Sequence, residues 1–147
     1  MQPVYILLAD DDEDDRMFFK QALSQSKTNI HLDEVEDGQQ LTEYIAKIES
    51  PPPPDVIFLD INMPYKNGKE CLQVIRANKK FISVPIIMFS TSTRLKDIED
   101  TFADGANMYV PKSVFYKHDF SFLDKRFSPN WRSDLLNVSR EQFLMKT

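Results

Sequence analysis

The shape of the apolar runs constrains the fold more than any other feature of this sequence. Val4–Ala9, Val56–Leu59 and 85–89 are short apolar stretches bounded by turn-forming residues, and weaker ones occupy Ile30–Val35 and 107–110. Runs of this length without polar alternation predict strands buried on both faces, the pattern of a parallel sheet. Helical stripes separate them. Phe18, Phe19, Ala22 and Leu23 form one, and Leu41, Tyr44, Ile45 and Ile48 follow the i, i+3, i+4, i+7 template. Cys71, Leu72, Val74 and Ile75 mark a third, Leu95, Ile98 and Phe102 a fourth, and Tyr116, Phe120, Leu123 and Phe127 a fifth. Strands alternating with helices imply right-handed βαβ crossovers, hence an α/β fold with a doubly wound five-stranded parallel sheet and five helices on both faces.

The glycines fit this register. Gly38 is expected in a turn after Asp37, Gly68 before the third helix and Gly105 just past the fourth. Pro51 to Pro54 form a stiff connector into the third strand. The polar segment 128–147, with Trp131, Leu135, Leu136 and Phe143 as apolar anchors, is expected to be a tail docked on a domain covering 1–127.

Composition narrows the class. The chain has 147 residues and a formal charge of −5, which argues against a nucleic-acid binder. Its longest apolar stretch is far too short to span a bilayer, and no secretory leader is visible, so a cytoplasmic location is expected. One cysteine, Cys71, excludes a disulfide framework, and its place on an apolar helical face suits a small core residue. His31 and His118 are too far apart in sequence and element to suggest a metal pair, and the methionines read as core filler.

Ligands of an open parallel sheet bind beyond the carboxyl ends of its strands, near the switch in strand order. Those ends carry Asp10, Asp11 and Asp12 after the first strand, Asp60 after the third, Ser90 and Thr91 after the fourth, and Lys112 after the fifth. Converging carboxylates repel one another unless a cation holds them, and a hard divalent ion such as magnesium suits carboxylate oxygens. Asp12, Asp14 and Asp15 are better used to cap and open the first helix. Asp60 could act as a nucleophile toward phosphorus, with Lys112 and Ser90 supplying positive charge and a hydrogen-bond donor to the phosphoryl oxygens.

Together these residues resemble the receiver domain of bacterial two-component response regulators over roughly residues 5 to 127. The resemblance rests on the acidic pair after strand one, the motif Asp60-Ile61-Asn62-Met63-Pro64 with Gly68 four residues later, Ser90, the aromatic Tyr109 and Lys112. It implies a flavodoxin-like sheet of order 2-1-3-4-5. It implies Asp10 and Asp11 as the metal-binding pair for Mg2+, Asp60 as phosphoacceptor and metal ligand, and Asn62 as donor of a backbone carbonyl to the metal. Ser90 matches the switch hydroxyl, Tyr109 the aromatic that changes rotamer, and Lys112 the phosphate-binding lysine. The implied partners are a histidine kinase or histidine phosphotransfer protein upstream and a protein target downstream, with neither nucleic acid nor membrane. No output domain follows, which implies a stand-alone receiver that assists its own phosphorylation without being a turnover enzyme.

Two residues depart from the family pattern. Ser113 stands where a proline usually follows the lysine, so the Lys112–Ser113 bond is expected to be trans with the loop re-routed to keep Lys112 near Asp60. Thr91 replaces a smaller residue beside the switch hydroxyl. Two other functions fit parts of the pattern. A degenerate receiver would act only as an interaction module, but Asp60, Asp11 and Lys112 are all present. A magnesium-dependent phosphohydrolase of the haloacid-dehalogenase type would want a general acid where Asn62 stands.

Overall fold

The computed structural model describes residues 3–47, 52–116 and 131–146. Strands β1 (Val4–Ala9), β2 (Ile30–Val35), β3 (Val56–Leu59), β4 (Ile86–Ser90) and β5 (Met108–Pro111) form one parallel sheet in the order β2-β1-β3-β4-β5. Between them run α1 (Glu13–Ser24), α2 (Gly38–Lys47), α3 (Gly68–Ala77) and α4 (Leu95–Ala103). A short helix α5 (Lys112–Phe115) follows β5 at once, and α6 (Trp131–Leu136) and α7 (Arg140–Phe143) lie near the C-terminus. The five-stranded order matches the expected flavodoxin-like sheet.

The continuous apolar runs are explained residue by residue. Leu7, Ala9, Ile57, Leu59, Ile86, Met88 and Tyr109 point into one cluster, together with Leu41, Ile45, Cys71, Leu72, Ile75 and Ile98 from α2, α3 and α4. The residues between them, Ile6, Leu8, Val56, Phe58, Ile87, Phe89, Met108 and Val110, point into the other cluster with Phe19, Leu23, Phe115, Trp131 and Leu135. Successive side chains of a strand face opposite ways, so a strand covered on both sides must be apolar at every position. β2 lies at the edge and is only partly buried, which is why its run is weaker.

Several expectations shift. Of the first stripe, Phe19 and Leu23 are buried, but Phe18 is 49% exposed and makes an edge contact with Tyr116 at 6.0 Å between ring centroids. Leu95 opens α4 on its outer side and is 70% exposed. Gly38 is the first residue of α2 and not part of a preceding turn; Asp37 caps that helix by accepting from Gln40 N–H at 2.7 Å. Of the fifth stripe only Tyr116 lies among the described residues, and it ends α5.

α3 is pinned at both of its ends, by Gly68 at the carboxyl end of the sheet and by Arg76 at the amino ends of β4 and β5. Gly68 opens α3 so close to β3 that a Cβ there would lie 2.0 Å from the Asp60 carbonyl oxygen, and its N–H donates to Ile61 O at 2.7 Å. Arg76, farther along α3, donates to Gly105 O, Phe81 O, Val84 O and Asn107 Oδ1 at 2.7–3.0 Å. Gly105 holds φ +97°, a region that favours glycine, where the chain leaves α4.

Candidate phosphoacceptor site

The pocket lies where β1 and β3 end side by side. Leu59 pairs with Ala9, and Asp60 N–H donates to Ala9 O at 2.9 Å, so Asp10 and Asp60 emerge as neighbours. Asp10 is fully buried, Asp60 is 4% exposed, and Asp11 is open to solvent. One oxygen from each of Asp10, Asp11 and Asp60 falls within 4.8 Å of the others.

Lys112 enters from the end of β5. Its Nζ lies 2.7 Å from Asp10 Oδ2, 2.7 Å from Asp15 Oδ2 and 3.2 Å from Asp60 Oδ2, and 5.5 Å from the centroid of the Phe89 ring. Burial works against its charge, but Asp10, Asp15 and Asp60 outweigh it, and the lysine is held firmly protonated. No cis peptide bond occurs among the described residues, so Lys112–Ser113 is trans. Without proline at 113, helical turns begin at Lys112 itself, and the side chain still reaches Asp60.

The acids are less content. Burial pushes the Asp10 carboxyl up to about 6 and raises Asp60 as well, although Lys112 and backbone N–H groups favour their charged forms. Asp10 Oδ1 accepts from Asp12 N–H at 3.0 Å. Its buried Oδ2 has the ammonium beside it but no aligned hydrogen-bond donor. One ammonium paired with three carboxylates, a fourth (Asp11) beside two of them and a buried oxygen without an aligned donor make a set that suits an added hard dication.

Asp12 caps α1 by accepting from Asp15 N–H at 3.0 Å, as expected. Asp15 does more than open the helix. Besides Lys112 it accepts from the Tyr116 hydroxyl at 2.9 Å, so it belongs to the pocket. Its position three residues after the cap was the available signal, because the first helical turn returns toward the strand end. Arg16 was also unforeseen. It donates to Asp10 O at 2.8 Å and ties α1 to the end of β1.

Asn62 sits two residues past Asp60, its N–H donating to Asp60 Oδ1 at 3.4 Å, and its side chain is exposed. Ser90 is fully buried at the end of β4, and its Oγ accepts from Ser92 N–H at 3.2 Å. Thr91 is exposed. Tyr109 is fully buried, its hydroxyl donating to Ser92 O at 2.8 Å. The turn carrying Ser92 is held in place by Asp97, a buried carboxylate that accepts from Ser92 Oγ and Arg94 and pairs with Lys69 at 2.7 Å. Burial disfavours its charge, but these donors win and hold Asp97 well below the usual carboxylate range. Cys71 is a core residue whose thiol burial pushes up to about 11.

The family model for the response regulator receiver domain matches residues 6–118. The chain belongs to this family. Response regulator Rcp1 of Synechocystis sp. is 31% identical to it over 124 residues, covering 82% of this chain and 84% of Rcp1. Among solved structures, the phosphorylated cyanobacterial phytochrome response regulator RcpA superposes with a TM-score of 0.77 at 27% identity, covering 90% of this chain and 96% of that one. The Mn(2+)-bound form of Rcp1 gives 0.75 at 28% identity, with coverage of 93% and 98%. This receiver therefore shares its fold with regulators of two-component systems, one of which holds a divalent metal. Among its described residues no helix is long and apolar enough to cross a membrane.

Proposed function

We propose that this receiver accepts a phosphoryl group on Asp60, with Mg2+ held by Asp10, Asp11, Asp60 and the Asn62 backbone carbonyl. The observation that carries the reading is the convergence of three carboxylate oxygens within 4.8 Å beside one buried ammonium. The donor is a histidine kinase or a histidine phosphotransfer protein. An Asp60 oxygen attacks phosphorus as the N–P bond of phosphohistidine breaks, and the imidazole nitrogen leaves with the bonding pair. Bound magnesium supplies charge neutralisation to the phosphoryl oxygens and to the acids around it. Lys112 stands at Asp60 to hold a phosphoryl oxygen, and Ser90 presents a hydroxyl from the neighbouring strand end.

A lysine with its proton firmly held suits charge stabilisation and not proton transfer, which supports a phosphoacceptor over a hydrolytic enzyme. Phosphorylation then biases the face of α4, β5 and the segment after it toward a downstream protein through Ser90 and Tyr109. The test is labelling by a small phosphoryl donor such as acetyl phosphate. One acid-stable, hydroxylamine-labile phosphoryl group is expected with magnesium, and none in chelator or in Asp60→Asn. Labelling that survives Asp60→Asn overturns the reading.

A further inference from the structure

The family match ends at residue 118, and the described segment 131–146 lies beyond it. That segment straddles the outer edge of β5. Trp131 and Leu135 pack into the cluster beneath α1, with Ile87, Met108 and Phe115, whereas Phe143 enters the cluster on the opposite face, with Tyr109 and Ile98. Leu144 forms a parallel bridge to Tyr109, and Met145 N–H donates to Tyr109 O at 2.9 Å. The Phe143 ring lies 5.1 Å from Phe102 and 6.3 Å from Tyr109 between centroids. Arg140 pairs with Glu99 of α4 and lies over the Phe102 ring.

Tyr109 is therefore held from two directions. On the inner side its hydroxyl is bonded to Ser92 O, and Ser92 N–H is bonded to the Ser90 hydroxyl. On the outer side Phe143 closes over the ring and Met145 binds the backbone.

We infer that the C-terminal segment is a positioning element of the switch: Phe143 and the Met145 amide hold Tyr109 buried, and their docking is coupled to filling of the Asp60 pocket through Ser90, Ser92 and Tyr109. The inference rests on the phosphoacceptor reading. A phosphoryl oxygen accepting from Ser90 fixes the turn whose Ser92 carbonyl holds Tyr109 inside. The docked segment fixes the same tyrosine from outside. Ordering one end lowers the cost of ordering the other, and a coupling between two binding events is reciprocal.

The experiment uses beryllium trifluoride with magnesium as a stable phosphoryl mimic on the full chain. Phe143→Ala is expected to weaken its binding at least about fivefold, and Phe143→Leu to restore most of the loss. In the wild type, filling the pocket is expected to slow hydrogen exchange at the Met145 amide by a similar factor. Equal affinity in wild type and Phe143→Ala, or a Met145 amide indifferent to the mimic, overturns the inference alone. A wild type that binds no mimic removes the phosphoacceptor reading and this inference with it. An effect that varies with protein concentration places Phe143 in a second copy and overturns the contact within one chain.

Discussion

Asp10→Asn should make this receiver more stable, although it removes a buried ion pair. Asp10 has a native pKa of about 6 against an ordinary 3.8, with burial as the main cause. One pKa unit is worth 1.36 kcal/mol, so charging Asp10 in the folded protein costs about 3 kcal/mol near neutral pH. Asparagine keeps the Oδ1 acceptor for Asp12 N–H and removes that cost. It also deprives Lys112 of one partner, but that attraction is already contained in the raised pKa, and Asp15 and Asp60 keep the ammonium paired. The net gain is therefore about 3 kcal/mol, or roughly 6–12 °C in Tm for a chain of this size. The native state binds the Asp10 proton more tightly than the unfolded chain, so the contribution of Asp10 to wild-type stability falls as pH rises from about 4 to 6 and levels off above. The advantage of the variant should therefore be full at about pH 7.5 and shrink by about half near pH 5. Urea unfolding in chelator at both pH values measures it. Magnesium, which binds only the folded protein, should stabilise the wild type far more than the variant and narrow the gap. A variant less stable than wild type at pH 7.5 in chelator, or a gap independent of pH, refutes the reasoning.

Three further substitutions probe other parts of the site. Gly68→Ala forces a methyl group against the Asp60 carbonyl and should cost about 1–3 kcal/mol in denaturant unfolding while also slowing labelling of Asp60. Asp11→Ala should weaken magnesium binding, measured by titration calorimetry, much more than Asp14→Ala, because only Asp11 belongs to the carboxylate cluster. Asp97→Asn should destabilise by about 1–3 kcal/mol at neutral pH, since charged donors lose a buried acceptor. The native pKa of Asp97 lies below its unfolded value, so this contribution is present above about pH 4 and fades as pH falls through the native pKa, and urea midpoints across the acid range should converge.

The sheet was legible because its inner strands are continuous apolar runs, broken only where Ser90 ends β4, and only coverage on both faces explains such runs. The pocket was legible because parallel strands deliver their carboxyl ends to one rim, so Asp10, Asp60, Ser90 and Lys112 could be grouped from their places after the runs. What escaped notice has physical causes. A hydrophobic stripe fixes a helix face but not its width, so Phe18 and Leu95 could not be told from their buried neighbours. Asp15 satisfies two demands at once, at the helix N-terminus and as a lysine partner, and the first concealed the second. Arg76 reads as an exposed helical residue, yet its four acceptors come from chain segments that only the fold brings together.

The strap across β5 also bears on how the sheet ends. A parallel sheet finishes in two strands whose outer backbone groups invite pairing with another chain. β2 carries His31, Asp33 and Glu34 along its length, and charge there discourages a neighbour. β5 reads Met-Tyr-Val-Pro and has no charge of its own. Its protection is mechanical: Pro111 offers no N–H, and Met145 occupies the Tyr109 carbonyl. Any event that lifts the C-terminal segment thus bares an uncharged, apolar strand edge, making aggregation and strand exchange sensitive reporters of a loosened strap.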